Sequence, residues 1–143
     1  MNKEDATYAN DIKRLQIAGL FTLSFIGSIM HTVIHNLLSH GMDPKIIAET
    51  AQMMKQPTMQ IMFFVFTVLG AAPAFMAFVF KGKTSWSVLT ILAMVLLALN
   101  GMHYISHMLK ADVMNGSTTL VLQLVPGIVG VVFSFNYLKI FKE

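Results

Sequence analysis

The 143-residue chain has no cysteine and few charged residues. Without thiols it cannot form disulfides, iron–sulfur clusters or cysteine-ligated metal sites. Charged residues make up 12% of the sequence, about half the share of a soluble domain, whereas hydrophobic residues make up 55%. The composition therefore indicates a membrane protein, and the length indicates a single domain covering residues 1–143.

The few charges are also unevenly placed along the chain. Asp, Glu, Lys and Arg are all absent from residues 15–42, 56–80, 84–109 and 113–138. Each gap is long enough for a helix of about 20 residues to cross a bilayer. The gaps predict membrane-spanning helices near residues 15–38, 58–80, 85–109 and 118–138. The expected fold is an all-α integral membrane four-helix bundle with up-down topology.

The connections between these helices carry local signals. Asp43-Pro44 resembles a helix cap followed by a first-turn proline, and apolar residues then recur at helical spacing. This pattern predicts a short helix near residues 44–55 that lies on the membrane surface. Before the fourth span, Asn115-Gly116 predicts a turn, and Ser117 is a candidate cap.

Lysine and arginine concentrate on one side of the expected bundle, and that side is expected to face the cytoplasm. Seven basic residues are expected on that side: Lys3, Lys13, Arg14, Lys81, Lys83, Lys139 and Lys142. Three are expected on the opposite side: Lys45, Lys55 and Lys110. Both termini are therefore expected to be cytoplasmic in a cell membrane. The first and third helices would then run outward and end near the outer face.

Four of the five histidines lie in two similar phrases within the apolar segments. His31 and His35 belong to the first expected span, and His103 and His107 lie 72 residues later in the third. Each pair has i, i+4 spacing, which puts both side chains on one helix face about 6 Å apart. The repeated phrase indicates a parallel internal repeat of two hairpins. The fifth histidine, His40, is expected in a solvated loop.

Two histidines per helix, at one depth on two parallel helices, indicate a buried binding site. Ionisable side chains inside a membrane are costly when unpaired and are therefore candidates for function. The metal or cofactor ligands predicted by this pattern are His31, His35, His103 and His107. Polar or sulfur-containing neighbours expected to support them are Ser28, Asn100, Gln60, Gln123, Met30 and Met102.

Three kinds of occupant fit four membrane-buried histidines. Neutral imidazole suits copper, zinc, iron and nickel, and the soft thioethers of Met30 and Met102 favour copper. A single haem b held by one histidine pair at equal depth is the alternative cofactor. The third possibility is a vacant proton relay at a quinone or ion site. A bundle without any cofactor, held together by a histidine hydrogen-bond network, is the structural alternative.

The segment Gly101-Met102-His103-Tyr104 resembles the motif of the MHYT membrane sensor domains, and Met30-His31-Thr32 is a looser version. The resemblance implies a membrane domain with repeated motifs near the outer face that binds copper. The chain departs from that family in having fewer expected spans, a second histidine in each motif and no attached signalling domain.

The sequence thus favours a membrane-embedded transition-metal protein with an outward-facing four-histidine site. We expect copper first, then zinc or iron, with a role in metal handling or sensing, or as a small subunit of a respiratory or oxidase complex. The alternatives are a b-type cytochrome active in electron transport and a cofactor-free structural subunit. No residue set resembles a nucleophile with its base, or a phosphate loop, so an enzyme is not favoured. The expected partners are the bilayer and a second copy or a larger membrane complex, without nucleic acid.

Overall fold

The computed structural model describes the backbone of residues 3–41 and 43–142 and the side chains of residues 7–37, 41 and 43–141. All secondary structure in these ranges is helical. The long helices are α1, Lys3–His40; α3, Pro57–Val79; and α4, Lys83–Leu109. The others are α2, Pro44–Met53; α5, Val113–Thr119; a π-helical segment, Leu120–Leu124; α6, Val125–Leu138; and a final 3₁₀ turn, Lys139–Lys142.

Four helical stretches are long and apolar enough to cross a membrane, and they form a four-helix bundle. They cover Thr7–Leu37, Pro57–Val79, Lys83–Leu109 and Val113–Phe141. The first packs against the second and the fourth, and the third packs against the same two. The first and third stretches, which carry the histidines, therefore lie diagonally across the bundle.

The turn before the fourth span lies earlier than the sequence pattern suggested. Asp112 caps α5 by accepting a hydrogen bond from the backbone N–H of Asn115, so Asn115 and Gly116 are helical. The chain reverses instead at residues 110–112, where Ala111 adopts a positive φ of 57°. A short helix is present in the first connection as α2, with Asp43 accepting from the Lys45 N–H and Pro44 in the first turn.

At the end of the bundle opposite the histidines, buried polar groups satisfy the last carbonyls around α3. Arg14 donates to the carbonyl of Phe78 at 2.6 Å. The indole N–H of Trp86 donates to the carbonyl of Phe80 at 3.0 Å, and its ring packs on Tyr137 with centroids 4.3 Å apart. Helix ends leave such carbonyls without helical partners, so these contacts secure this end of the bundle.

The fourth span is irregular where it contacts α1. Its backbone bonds in the π register, with the Val125 N–H reaching the Leu120 carbonyl, and Pro126 follows without an N–H to donate. Ser24 of α1 donates its hydroxyl to the Gln123 carbonyl at 2.8 Å. The Gln123 carbonyl therefore faces α1, and the two helices approach closely at this level.

Gly27 makes this approach possible, and replacing it should destabilise the bundle. A Cβ at Gly27 would collide with the Leu122 carbonyl, a backbone group that cannot rotate away. We expect Gly27→Ala to lower the free energy of unfolding by about 1–3 kcal/mol, as overpacking does. Gly19→Ala is the matched control, because a Cβ there meets nothing within 4 Å. Thermal melts in detergent measure both, and equal melting temperatures for the two variants would contradict the proposed contact.

Candidate metal centre

The histidine cluster lies where the C-terminal parts of α1 and α4 meet the start of the fourth span. His31 projects from α1, and His103 and His107 project from successive turns of α4. Three helices therefore contribute to the cluster, since Thr118 and Thr119 of α5 also contact His31. His31 and His107 are 3% and 6% exposed, whereas His103 is exposed.

Three imidazole nitrogens converge at the centre of this cluster. The Nε2 atom of His103 lies 3.0 Å from Nε2 of His31 and 3.1 Å from Nε2 of His107. The three residues offer ligand atoms that all lie within 4.8 Å of one another. Among the side chains that the structure describes, they form the first of two groups whose spacing fits a metal ion.

The second nitrogen of His31 is held by α5. His31 Nδ1 lies 2.9 Å from the Thr118 hydroxyl oxygen. That hydroxyl donates its single proton to the Asn115 carbonyl, also at 2.9 Å. With its proton on that carbonyl the Thr118 oxygen can only accept, and His31 then donates from Nδ1. In that tautomer a neutral His31 has its lone pair on Nε2, which lies 3.0 Å from His103 Nε2 and 3.4 Å from the Thr119 hydroxyl oxygen.

Asp112 fixes His107 in the same way. His107 Nδ1 lies 2.9 Å from Oδ2 of Asp112, and a carboxylate can only accept, so His107 donates from Nδ1. The Asn115 side-chain amide donates to the same oxygen at 2.9 Å. The hydrogen bonds from Asn115 and His107 hold the pKa of Asp112 below its usual value, so the carboxylate is charged. His107 Nε2 is therefore also left with its lone pair.

This arrangement matches the surroundings of metal-bound histidine in proteins. A ligating imidazole usually donates its other N–H to a carboxylate or another oxygen, which sets the tautomer and the ring orientation. His107 has Asp112 as that acceptor, and His31 has Thr118. Metal–nitrogen bonds of about 2.0–2.1 Å place tetrahedral ligand atoms about 3.3–3.4 Å apart. The separations of His103 Nε2 from His31 Nε2 and from His107 Nε2, 3.0 and 3.1 Å, are within a few tenths of an ångström of that value.

His35 lies beside the three central residues, one helical turn further along α1. Its ring stacks on His31 with centroids 5.9 Å apart and packs edge-on against His107 at 5.1 Å. His35, His107 and Asp112 make up the second group whose ligand atoms lie within 4.8 Å of one another. His107 thus belongs to both groups, and all four predicted histidines lie in one cluster.

The four polar residues expected to support the histidines lie in different surroundings. Ser28 and Asn100 line a cavity one helical turn from the histidines. Gln60 is exposed on α3, whereas Gln123 is 2% exposed in the π-helical segment.

The two methionines that were expected to flank the histidines point outward. Met30 is 48% exposed and Met102 is 67% exposed, because each precedes its histidine by one residue and so lies about 100° around its helix. The side chain of His40 lies outside the residues that the structure describes.

Sequence reasoning missed Asp112, Asn115, Thr118 and Thr119. It began the fourth helix at residue 118, which left the first three of these residues at or before its start. Asp112 could have been found as a candidate N-cap, since it follows the last residues of α4 and precedes an apolar segment. Its position five residues after His107 was the available signal of a carboxylate beside the cluster.

Comparison of the chain with protein-family models, with curated proteins and with solved structures finds no match in any of the three. The chemistry of the cluster is therefore the basis for a functional proposal.

Proposed function

We propose that the chain is a membrane-embedded metal-binding protein that holds one transition-metal ion between His31, His103 and His107. The observation that carries the proposal is the convergence of three Nε2 atoms, with the outer nitrogens of His31 and His107 bonded to Thr118 and Asp112. A purely structural network does not require three nitrogen atoms to point at one another, because neutral imidazoles have too few protons to satisfy all the contacts.

Copper is the metal that we favour, followed by zinc and iron. An all-imidazole ligand set suits each of them and disfavours magnesium, calcium and manganese. The resemblance around Met102-His103-Tyr104 to copper-binding MHYT domains supports copper. The exposure of Met30 and Met102 removes the thioether argument, because those side chains point away from the three nitrogens.

A haem-binding function is less compatible with this geometry. A porphyrin bound to His103 would occupy the space around its Nε2 atom in the plane perpendicular to the Fe–N bond. His107 Nε2 already lies 3.1 Å from that atom. A haem would require His107 to move and to lose its bond to Asp112.

The test is an absorption spectrum together with elemental analysis of protein purified without a polyhistidine tag. The proposal expects about one transition-metal ion per chain and no haem bands on reduction. Sharp bands on reduction would support the cytochrome alternative. Protein that contains no metal and takes up none from added Cu(I), Zn(II) or Fe(II) would show the cofactor-free alternative to be correct.

We further propose that the histidine cluster faces the outside of the cell. In that position the protein would act in metal handling, in sensing or as part of a respiratory complex. The excess of lysine and arginine on the opposite side supports this orientation.

The chain has no cysteine, so Ala111→Cys and Gly82→Cys each introduce a single thiol at opposite ends of the bundle. In intact cells a membrane-impermeant thiol reagent should label Ala111→Cys and leave Gly82→Cys unlabelled until the cells are opened. The reverse pattern would contradict the orientation.

A further inference from the structure

A cavity of about 610 Å³ lies next to the histidine cluster, between α1, α3, α4 and the Gly127 end of α6. Its volume falls within the range of about 300–1,000 Å³ typical of small-molecule sites. Most of its wall is aromatic or aliphatic, including Phe25, Phe66 and Leu97. The end nearest the histidines is different, because Ser28, Thr32 and Asn100 line it there. The cavity therefore fits a largely apolar molecule with a polar group at one end.

The hydroxyl groups of this cavity have already used their protons. Ser28 donates to the Ser24 carbonyl at 3.1 Å, and Thr32 donates to the Ser28 carbonyl at 2.9 Å. Thr67, across the cavity on α3, donates to the Phe63 carbonyl at 2.8 Å. Each hydroxyl oxygen therefore offers the cavity only lone pairs.

Asn100 is the exception among these polar groups. Within the described part of the chain no group hydrogen-bonds its side-chain amide, which lines the cavity at the level of Ser28. The amide supplies both a donor and an acceptor. The wall thus has more acceptors than donors, so a bound molecule that brings a hydrogen-bond donor, such as an O–H group, matches it best.

From this inventory we infer that the cavity binds a lipid-soluble hydroquinone, with a ring hydroxyl directed at Ser28, Thr32 and Asn100 and the apolar body among the phenylalanines. The oxidised quinone fits the same volume but has only acceptor oxygens, so it can bond the Asn100 amide and leaves the Ser28 and Thr32 oxygens unmatched. The cavity should therefore prefer the reduced form. This binding does not require a metal at the histidines, so it stands or falls separately from the proposed function.

The experiment measures binding of ubiquinol with a ten-carbon tail, and of the matching quinone, to the protein in lipid nanodiscs, with empty nanodiscs as background. We expect one saturable site per chain and an affinity for the hydroquinone that is about tenfold higher, the value of one net hydrogen bond. Leu96→Trp fills the cavity and should abolish saturable binding. Val95→Trp is the matched control, since Val95 is the adjacent residue, is 52% exposed and does not line the cavity.

Asn100→Leu keeps the bundle apolar and removes the amide, so it should weaken hydroquinone binding by about tenfold. It also keeps the proposal testable if Leu96→Trp fails to fold, which circular dichroism would reveal. Three results would overturn the inference: no saturable binding to the wild type, equal binding by folded Leu96→Trp and Val95→Trp, or tighter binding of the quinone than of the hydroquinone. The first would mean that the cavity holds only acyl chains of the bilayer.

Discussion

Replacing His103 with alanine should leave a folded protein that retains no metal after desalting. His103 Nε2 lies within 3.1 Å of both partner nitrogens, so its loss opens the centre of the site. His31→Ala and His107→Ala should have the same effect, since each removes one of three ligands. The affinity should fall by more than the roughly 10- to 100-fold loss that follows removal of a supporting group. Metal content by elemental analysis and affinity by competition with a chelator measure the effect.

His35→Ala is the matched control for these variants. It removes a histidine from the same cluster, but one that lies outside the group formed by His31, His103 and His107. The variant should still bind one metal ion per chain. If His35→Ala loses metal as completely as His103→Ala, the ion is held by all four histidines. If all four variants bind metal like the wild type, the site lies elsewhere.

Asp112→Ser should weaken metal binding by about 10- to 100-fold, as the loss of a group that orients a ligand does. Serine is a good N-cap residue, so α5 keeps its cap. Its side chain is too short to replace the carboxylate that accepts from His107 at 2.9 Å. Without that acceptor, His107 can move its proton to Nε2 and lose the lone pair that the metal needs.

Asp43→Ser provides the control for the second prediction. Asp43 is also an N-cap aspartate, accepting from the Lys45 N–H at 2.8 Å, but it caps α2 and belongs to neither of the two groups of candidate ligands found among the described side chains. This substitution should leave metal affinity unchanged. An Asp112→Ser variant that binds metal as tightly as Asp43→Ser would show that the His107–Asp112 bond does not support the site.

The bundle could be predicted from the sequence because membrane spans depend on one property, the length of segments without charged residues. Long stretches without charge must cross the bilayer as helices, since backbone groups in lipid have to bond within the segment. The i, i+4 spacing likewise predicted that His31 and His35, and His103 and His107, share helix faces. The direct approach of His31 to His103 follows from how the two diagonal helices pack, with Gly27 and Ser24 allowing α1 to lie against the fourth span.

The supporting residues could not be predicted because they depend on tertiary contacts. Thr118 meets His31 across a sequence separation of 87 residues, and no periodic pattern marks that pair. Asp112 lies outside the expected spans, and only the folded chain shows that its side chain reaches back to His107 near the end of α4. Met30 and Met102 were favoured for their chemistry, although their position beside the histidines in sequence turns them away on a helix.

X-ray absorption spectroscopy of the metal-loaded protein can detect whether three imidazoles bind one metal ion. The protein should be loaded with Cu(I) under reducing conditions, without a polyhistidine tag. We expect a nitrogen shell at about 2.0 Å, the usual length of a bond from imidazole to such metals, with the outer-ring scattering of about three imidazoles. A spectrum without imidazole scattering, one dominated by sulfur, or a protein that retains no copper would contradict it.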